Sequence, residues 1–341
     1  MKKIFYSVFF IFLMACGSNK TSVEENIDQS KKYAETITAK ELGEHLFTYA
    51  SDEFEGRDTG EPGQKKAVEY LKNFYIDKEI ESAMDNGDYF QEISSEWFKN
   101  NTRRGGNLKD SENVLAFIKG SEKPEEIVVI SAHLDHVGVE DGKIYNGADD
   151  DGSGTVAILE IAEAFKMAKD AGKGPKRSIL FLHVTGEEKG LLGSKYYTDN
   201  PVFPLKNTVC NLNIDMIGRI DTRHKEDPNY IYLIGSDKLS TELHTISEEM
   251  NTKYTNINLD YKYNDENDPN RFYYRSDHYN FAKNNVPIIF YFNGTHADYH
   301  KHTDTPDKIN YNLLEKRTKL VFHTAWKVAN QESRIIADKA Q

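Results

Sequence analysis

Cysteine is almost missing from the 341-residue chain, which has two, Cys16 and Cys210. Cys16 lies close to the start and is read as the lipid-carrying residue of an export signal. No intramolecular disulfide is then available, so the fold must stand on its core or on metal. Cys210 sits in the apolar run Val209-Cys210-Asn211-Leu212 and reads as a buried structural thiol, not a nucleophile. Positive charge is also short. There are 43 Lys and Arg against 55 Asp and Glu, a formal charge of −12, and this acidity argues against nucleic acid as a partner. The apolar stretch at residues 4–14 is too short to span a bilayer. The motifs H-E-x-x-H, G-x-S-x-G and the phosphate-binding Walker loop are absent. Ser153 lacks the strand–elbow context of a hydrolase nucleophile and is read as structural.

What is present begins with an export signal. Lys2 and Lys3 precede the apolar stretch, and Leu13-Met14-Ala15-Cys16 resembles a bacterial lipobox. Residues 1–15 are expected to be a lipoprotein signal peptide, cleaved before a diacylated Cys16. The protein is then exported and lipid-anchored to a bacterial membrane, at the outer membrane or periplasmic side; plain secretion is the alternative. Residues 16–39 are polar without an apolar period and read as a flexible tether. Residues 40–332 are expected to form a single catalytic domain and residues 333–341 a polar tail.

Within that domain the pattern alternates between β-branched runs and helical periods. Strands are predicted at residues 114–118, 127–131, 179–184, 209–214, 230–234 and 286–292. Helices are predicted at residues 40–50, 152–169, 191–197, 239–250, 276–283 and 313–330, with Ile158, Ile161, Ala162 and Phe165 at helical spacing in the second. The predicted class is α/β, a central, mostly parallel (mixed) sheet covered by helices on both faces. The Asp- and Asn-rich residues 264–270 read as a turn-rich surface loop more readily than as a calcium site.

A series of metal-type ligands falls at the ends of these strands: His133-x-Asp135, Asp149, Glu187-Glu188, Asp215 and His300. In an open parallel sheet the carboxyl ends of the strands converge on the ligand crevice. Zinc accepts imidazole nitrogen and carboxylate oxygen, and a catalytic site keeps one position open. Asp135 is spaced to accept the free ring N–H of His133. The loop Gly147-Ala148-Asp149-Asp150-Asp151-Gly152-Ser153-Gly154 concentrates three carboxylates before a helix. One can point inward between two cations, while Asp150 and Asp151 can also serve as helix caps. Glu187 and Glu188 can diverge, one binding metal and one moving a proton. Asp215 sits among apolar residues and needs a metal or a strong partner. Two histidines, His300 and His302, compete for one role. His136 has no assigned partner, and His183, inside a strand, reads as a satisfied core residue.

These stretches resemble the co-catalytic di-zinc aminopeptidases of the bacterial leucyl aminopeptidase and aminopeptidase Y type. The resemblance rests on Ala50-Ser51-Asp52 through Gly63, His133-Leu134-Asp135, Gly147 to Gly154, Gly186-Glu187-Glu188, Asn213 to Gly218, Ser276-Asp277-His278 and His300 to Thr305, in family order. It implies a zinc-aminopeptidase (phosphorylase/hydrolase-like) architecture and two zinc ions per chain. Asp149 bridges them, Glu188 and His300 complete one and His133 and Asp215 the other. Glu187 becomes the general base, Asp135 orients His133, and Tyr299 is nominated to hydrogen-bond the tetrahedral intermediate. His300 is preferred to His302 because the family's last ligand stands four residues before the Asp of an Asp-Thr pair, here Asp304-Thr305. The implied reaction is removal of the N-terminal residue of peptides through a metal-bridging hydroxide. The alternatives are a di-zinc carboxypeptidase or dipeptidase, and a glutaminyl cyclase on the same fold. A catalytically dead binding module is disfavoured because no ligand is missing.

Overall fold

β-Branched runs bounded by turn residues form strands where they can be buried on both sides, and here they build one sheet. The computed structural model describes residue 1, residues 28–102 and residues 108–340. Its strands are β1 (Glu81–Ser82), β2 (Phe90–Ile93), β3 (Ser111–Ile118), β4 (Lys123–His133), β5 (Gly138–Glu140), β6 (Lys143–Tyr145), β7 (Arg177–Val184), β8 (Thr208–Ile214), β9 (Tyr230–Ile234), β10 (Asn258–Asp260) and β11 (Ile288–Phe292). Its helices are α1 (Gln29–Ala34), α2 (Ala39–Tyr49), α3 (Pro62–Asp77), α4 (Ser95–Asn101), α5 (Gly154–Asp170), α6 (Leu192–Asp199), α7 (Thr241–Met250), α8 (His278–Ala282) and α9 (Tyr311–Asn330).

β7, β4, β8 and β11 lie side by side and parallel. Antiparallel strands extend both flanks: β3 pairs β7 and carries β1 and β2, and β9 pairs β11 and carries β10 in parallel. The sheet is therefore mixed, with a parallel centre, as the alternating pattern predicts. Side chains alternate between its faces. In β4, Val128, Ile130 and Ala132 join the layer that holds α5 and α9, while Ile127 and Val129 join the opposite layer with Tyr197 and Phe281. Helices cover both faces, which a parallel centre requires.

Both ends of the domain depart from expectation. The tether expected over residues 16–39 ends by Asp28, which caps α1, and Tyr33, Ala34 and Ile37 are buried against the domain. Ser30 Oγ lies 2.7 Å from His323 Nδ1 on α9. Three apolar residues among polar ones are too few to register as a period. The expected polar tail also packs: Ile335 is buried, and the Asp338 carboxylate accepts the Thr241 N–H at the start of α7 at 2.8 Å. Residues 2–27, which hold the rest of the expected signal peptide and the first half of the expected tether, lie outside the described residues.

α5 is apolar nearly all round but buries one carboxyl. Glu160 is 3 % exposed, and its Oε1 lies 3.6 Å from His45 Nε2 on α2. Burial, reinforced by Glu41 and Glu163, pushes this carboxyl from 4.5 up to about 8. An acid raised on folding binds its proton more tightly in the native state. Stability from this group is therefore full below pH 4.5 and drains away as pH rises to about 8. Glu160→Gln should match wild type near pH 5 and exceed it above pH 8 by on the order of a few kcal/mol in urea denaturation. Equal pH slopes for the two proteins would contradict this.

Candidate metal centre

Four strand ends deliver donors to one place. His133 closes β4, Asp215 follows β8 directly, Glu187 and Glu188 stand just beyond β7, and His300 lies in the loop after β11. The acidic loop of residues 148–153 runs in before α5. Gly147 enters it with φ +53°, and a Cβ there would meet the Asp150 carbonyl and the His136 ring; a Cβ on Gly154 would meet the Asp151 carboxylate. Arg57, fully buried, holds the entry to the loop. Its guanidinium donates to the carbonyls of Asn146 (2.7 Å), Gly147 (2.9 Å), Leu134 (3.1 Å) and Tyr49 (3.2 Å), so carbonyl dipoles take the place of water around its charge.

The three consecutive aspartates have different partners. Asp150 faces the histidines: its Oδ1 lies 3.1 Å from His133 Nε2 and its Oδ2 3.0 Å from His300 Nε2. Asp215 Oδ1 is 3.7 Å from His133 Nε2, and Glu188 Oε2 is 3.2 Å from His300 Nε2. Donors about 2.0–2.1 Å from a tetrahedral zinc lie roughly 3.3 Å from one another, so these spacings fit two sets that share Asp150. His133 Nε2, Asp150 Oδ2 and Glu188 Oε1 are buried without an aligned hydrogen bond. His136, Asp150 and Glu188 offer ligand atoms within 4.8 Å of one another, which suits a cation.

Asp149, expected to bridge, does not face this space. Its Oδ1 accepts the Gly218 N–H (2.7 Å) and the Ser153 hydroxyl (3.0 Å). Its Oδ2 accepts from Asn293 Nδ2 (3.1 Å) and lies 3.1 Å from His296 Nε2. Asp150 is the aspartate that stands between His133 and His300. In a run of three identical residues, spacing cannot say which one turns inward. Asp151 lies near enough to His133 and Asp215 to join them, but its oxygens are committed to the backbone N–H groups of His133 (3.2 Å), Gly154 (3.0 Å) and Met216 (3.0 Å). The Asp150–Asp151 peptide is cis.

Asp135 is close to His133 but holds it differently from the expectation. His133 Nδ1 is 3.0 Å from the Asp135 main-chain oxygen and 3.9 Å from its carboxylate. With Nε2 turned to the donor gap, Nδ1 carries the proton and donates to that carbonyl. The Asp135 carboxylate instead accepts the Glu187 N–H (3.1 Å) and the Thr59 hydroxyl (2.8 Å). His302 stays outside the group, its ring 6.1 Å from that of Tyr145. His136 is inside, with Nδ1 2.9 Å from Glu188 Oε1. Nothing local revealed this, because its partner is remote in sequence; the only signal was its place in the loop that follows Asp135. His296 was likewise missed.

The adjacent glutamates titrate in opposite directions. Burial, reinforced by Glu188, Asp215 and Asp277 against the pull of His133, holds the Glu187 carboxyl well above its usual range. Burial and Asp150 also work to raise Glu188, but His136 and His300 win and hold it at about 2. His300, lowered by burial, is pushed up to about 10 by Asp150 and Glu188. A cavity of about 310 Å³ is lined by the carboxylates of Asp150, Glu187, Glu188 and Asp215 together with Met216, Phe272, Phe290 and Phe292. The Tyr299 ring stacks on His300 at 4.0 Å and lines the same cavity.

Comparison with known proteins gives a consistent picture. The model of peptidase family M28 matches residues 113–325. The chain is 29 % identical to the leupeptin-inactivating enzyme 1 of Streptomyces exfoliatus over 257 residues, covering 75 % of this chain and 48 % of that one. It is 34 % identical to a probable zinc metalloprotease of Leptosphaeria maculans over 144 residues, covering 40 % and 31 % respectively. The chain thus spans less than half of either curated relative. The crystal structure of the LapA aminopeptidase of Legionella pneumophila is similar in fold, with a TM-score of 0.67 at 20 % identity over 89 % of this chain and 75 % of that one.

Two isosteric substitutions separate the aspartates. Asp150→Asn should lower bound zinc below two equivalents. Asp149→Asn should keep the full complement while lowering stability by about 1–3 kcal/mol, because it unbalances a buried hydrogen-bonded network. Metal content and urea denaturation read the two effects, and the reverse pattern would restore Asp149 as the bridge.

Proposed function

The chain belongs to peptidase family M28, and from that premise we propose that it is an exopeptidase using two zinc ions to remove N-terminal residues from peptides. One observation carries the reading: Asp150 offers each of its oxygens to a different histidine-led donor set, beside a glutamate that those sets leave free. His133, Asp150 and Asp215 would hold one ion, and Asp150, Glu188 and His300 would hold the other. Zinc in these positions supplies Lewis acidity toward a peptide carbonyl and toward water.

The chain's own groups do the rest. Glu187 lines the cavity with a carboxyl made more basic by burial, so it takes a proton from water and passes it to the departing amine nitrogen as the C–N bond breaks. Asp135 anchors it through its backbone N–H. The Tyr299 hydroxyl, kept protonated by burial, is a donor for the carbonyl oxygen. The carboxylates around the cavity favour a cationic α-amino group, and the aromatic wall accepts an apolar side chain. This charge distribution supports an aminopeptidase over the carboxypeptidase and cyclase alternatives.

Glu187→Gln should retain two zinc equivalents while kcat falls by roughly 10²–10⁴; turnover at the wild-type rate would remove Glu187 from the mechanism. Aminoacyl substrates should be cleaved and their N-acetylated counterparts spared, with the cleavage abolished by chelator. Cleavage that tolerates N-blocking would move the assignment to a carboxypeptidase.

Export and lipid anchoring complete the proposal. The basic start, the apolar residues 4–14 and Leu13-Met14-Ala15-Cys16 support it. Cys16→Ser should shift the protein from the membrane fraction to the soluble fraction in cells that process lipoproteins. Unchanged membrane association would count against the anchor.

A further inference from the structure

The cavity wall carries one cation that forms no ion pair among the described residues. Among the described residues that line the cavity, Arg275 is the only lysine or arginine. Other arginines close to the core are occupied. Arg57 and Arg317 donate to backbone carbonyls, Arg177 pairs with Glu126, and Arg219 lies against Asp298 and Asp304. Arg275 lies over the Phe272 ring, 4.8 Å from its centroid, and its Nη2 donates to the Tyr299 hydroxyl at 3.3 Å. Among the described residues no carboxylate pairs with it. An aromatic face orients the planar guanidinium without consuming its charge. Tyr299 stacks on His300, so the guanidinium is held at the cavity edge next to the metal centre.

We propose that Arg275 reads a carboxylate on the substrate, making this peptidase selective for peptides with an acidic group close to the scissile bond. That group is either the acidic side chain of the N-terminal residue or the free C-terminal carboxylate of a dipeptide. The inference deepens the peptidase reading and rests on it. The guanidinium fork matches carboxylate geometry, and the apolar surface of Met216, Phe272 and Phe290 accepts the aliphatic stem behind it. The competing role, in which Arg275 merely offsets the cavity's own carboxylates at a distance, predicts equal effects on charged and uncharged substrates.

Isosteric pairs separate these roles. Glutamyl- and glutaminyl-p-nitroanilide differ at the first site, and Leu-Gly and Leu-Gly-amide at the second. For zinc-loaded wild type, one pair should show a kcat/KM ratio of roughly tenfold in favour of the carboxylate, carried mainly by KM. In Arg275→Gln that ratio should fall toward one, and Arg275→Lys should keep part of it. The pair that responds identifies the source of the carboxylate. Calorimetric binding of glutamate against glutamine, and of Leu-Gly against its amide, reads the same contact without turnover. Failure to hydrolyse any of the four substrates would thus count against the peptidase reading while leaving the Arg275 ratio measurable. Ratios that are identical in wild type and Arg275→Gln for both pairs, in binding and in turnover, would overturn the proposal.

Discussion

Asp135, Asp149, Asp150, Asp151, Asp215, Glu187 and Glu188 crowd one end of the sheet, and carboxylates taken out of water this close together repel one another strongly. The structure answers that repulsion in three ways. Asp149 and Asp151 spend their oxygens on backbone N–H groups and on Ser153 and Asn293. Asp135 divides its oxygens between Thr59 and the Glu187 backbone. Asp150, Glu188 and Asp215 face His133 and His300 across a gap sized for divalent cations. What remains is Glu187, whose basicity is raised by burial and by the nearby carboxylates of Glu188, Asp215 and Asp277.

The same network also ties the strand ends together. Asp151 bonds to residues of β4, of α5 and of the segment after β8, and the Asp304 carboxylate accepts the backbone N–H groups of both Asp149 (2.9 Å) and Asp150 (3.2 Å). Arg57 fixes the approach to the acidic loop from the other side. Groups that never touch a substrate therefore set donor positions to a fraction of an ångström, the precision a dinuclear site demands. The aromatic side of the cavity is built separately, from the cluster of Met216, Phe272, Phe290 and Phe292 around β9 and β11.

Much of this was legible without coordinates. The apolar runs of β4, β7, β8 and β11 announced a parallel centre, because only strands buried on both faces can be so continuously apolar. The placement of His133, Glu187, Glu188, Asp215 and His300 at their carboxyl ends followed from the same map. The structure brings these residues together. The short α1 was missed because its buried face holds only Tyr33 and Ala34 with Ile37 beyond it. His136 was passed over because Glu188, its partner, stands 52 positions away in sequence.

The sequence by itself determined the fold class, the family and the kinds of donor, since residue type, strand period and strand-end position are all written along one dimension. The tertiary structure decided which aspartate of three turns inward, which atom of Asp135 meets His133, and that Arg275 stands over Phe272 beside the centre with no ion pair among the described residues. Those choices depend on side-chain direction. One residue's step around a backbone exchanges a metal donor for a structural acceptor, and no spacing rule distinguishes Asp149 from Asp150.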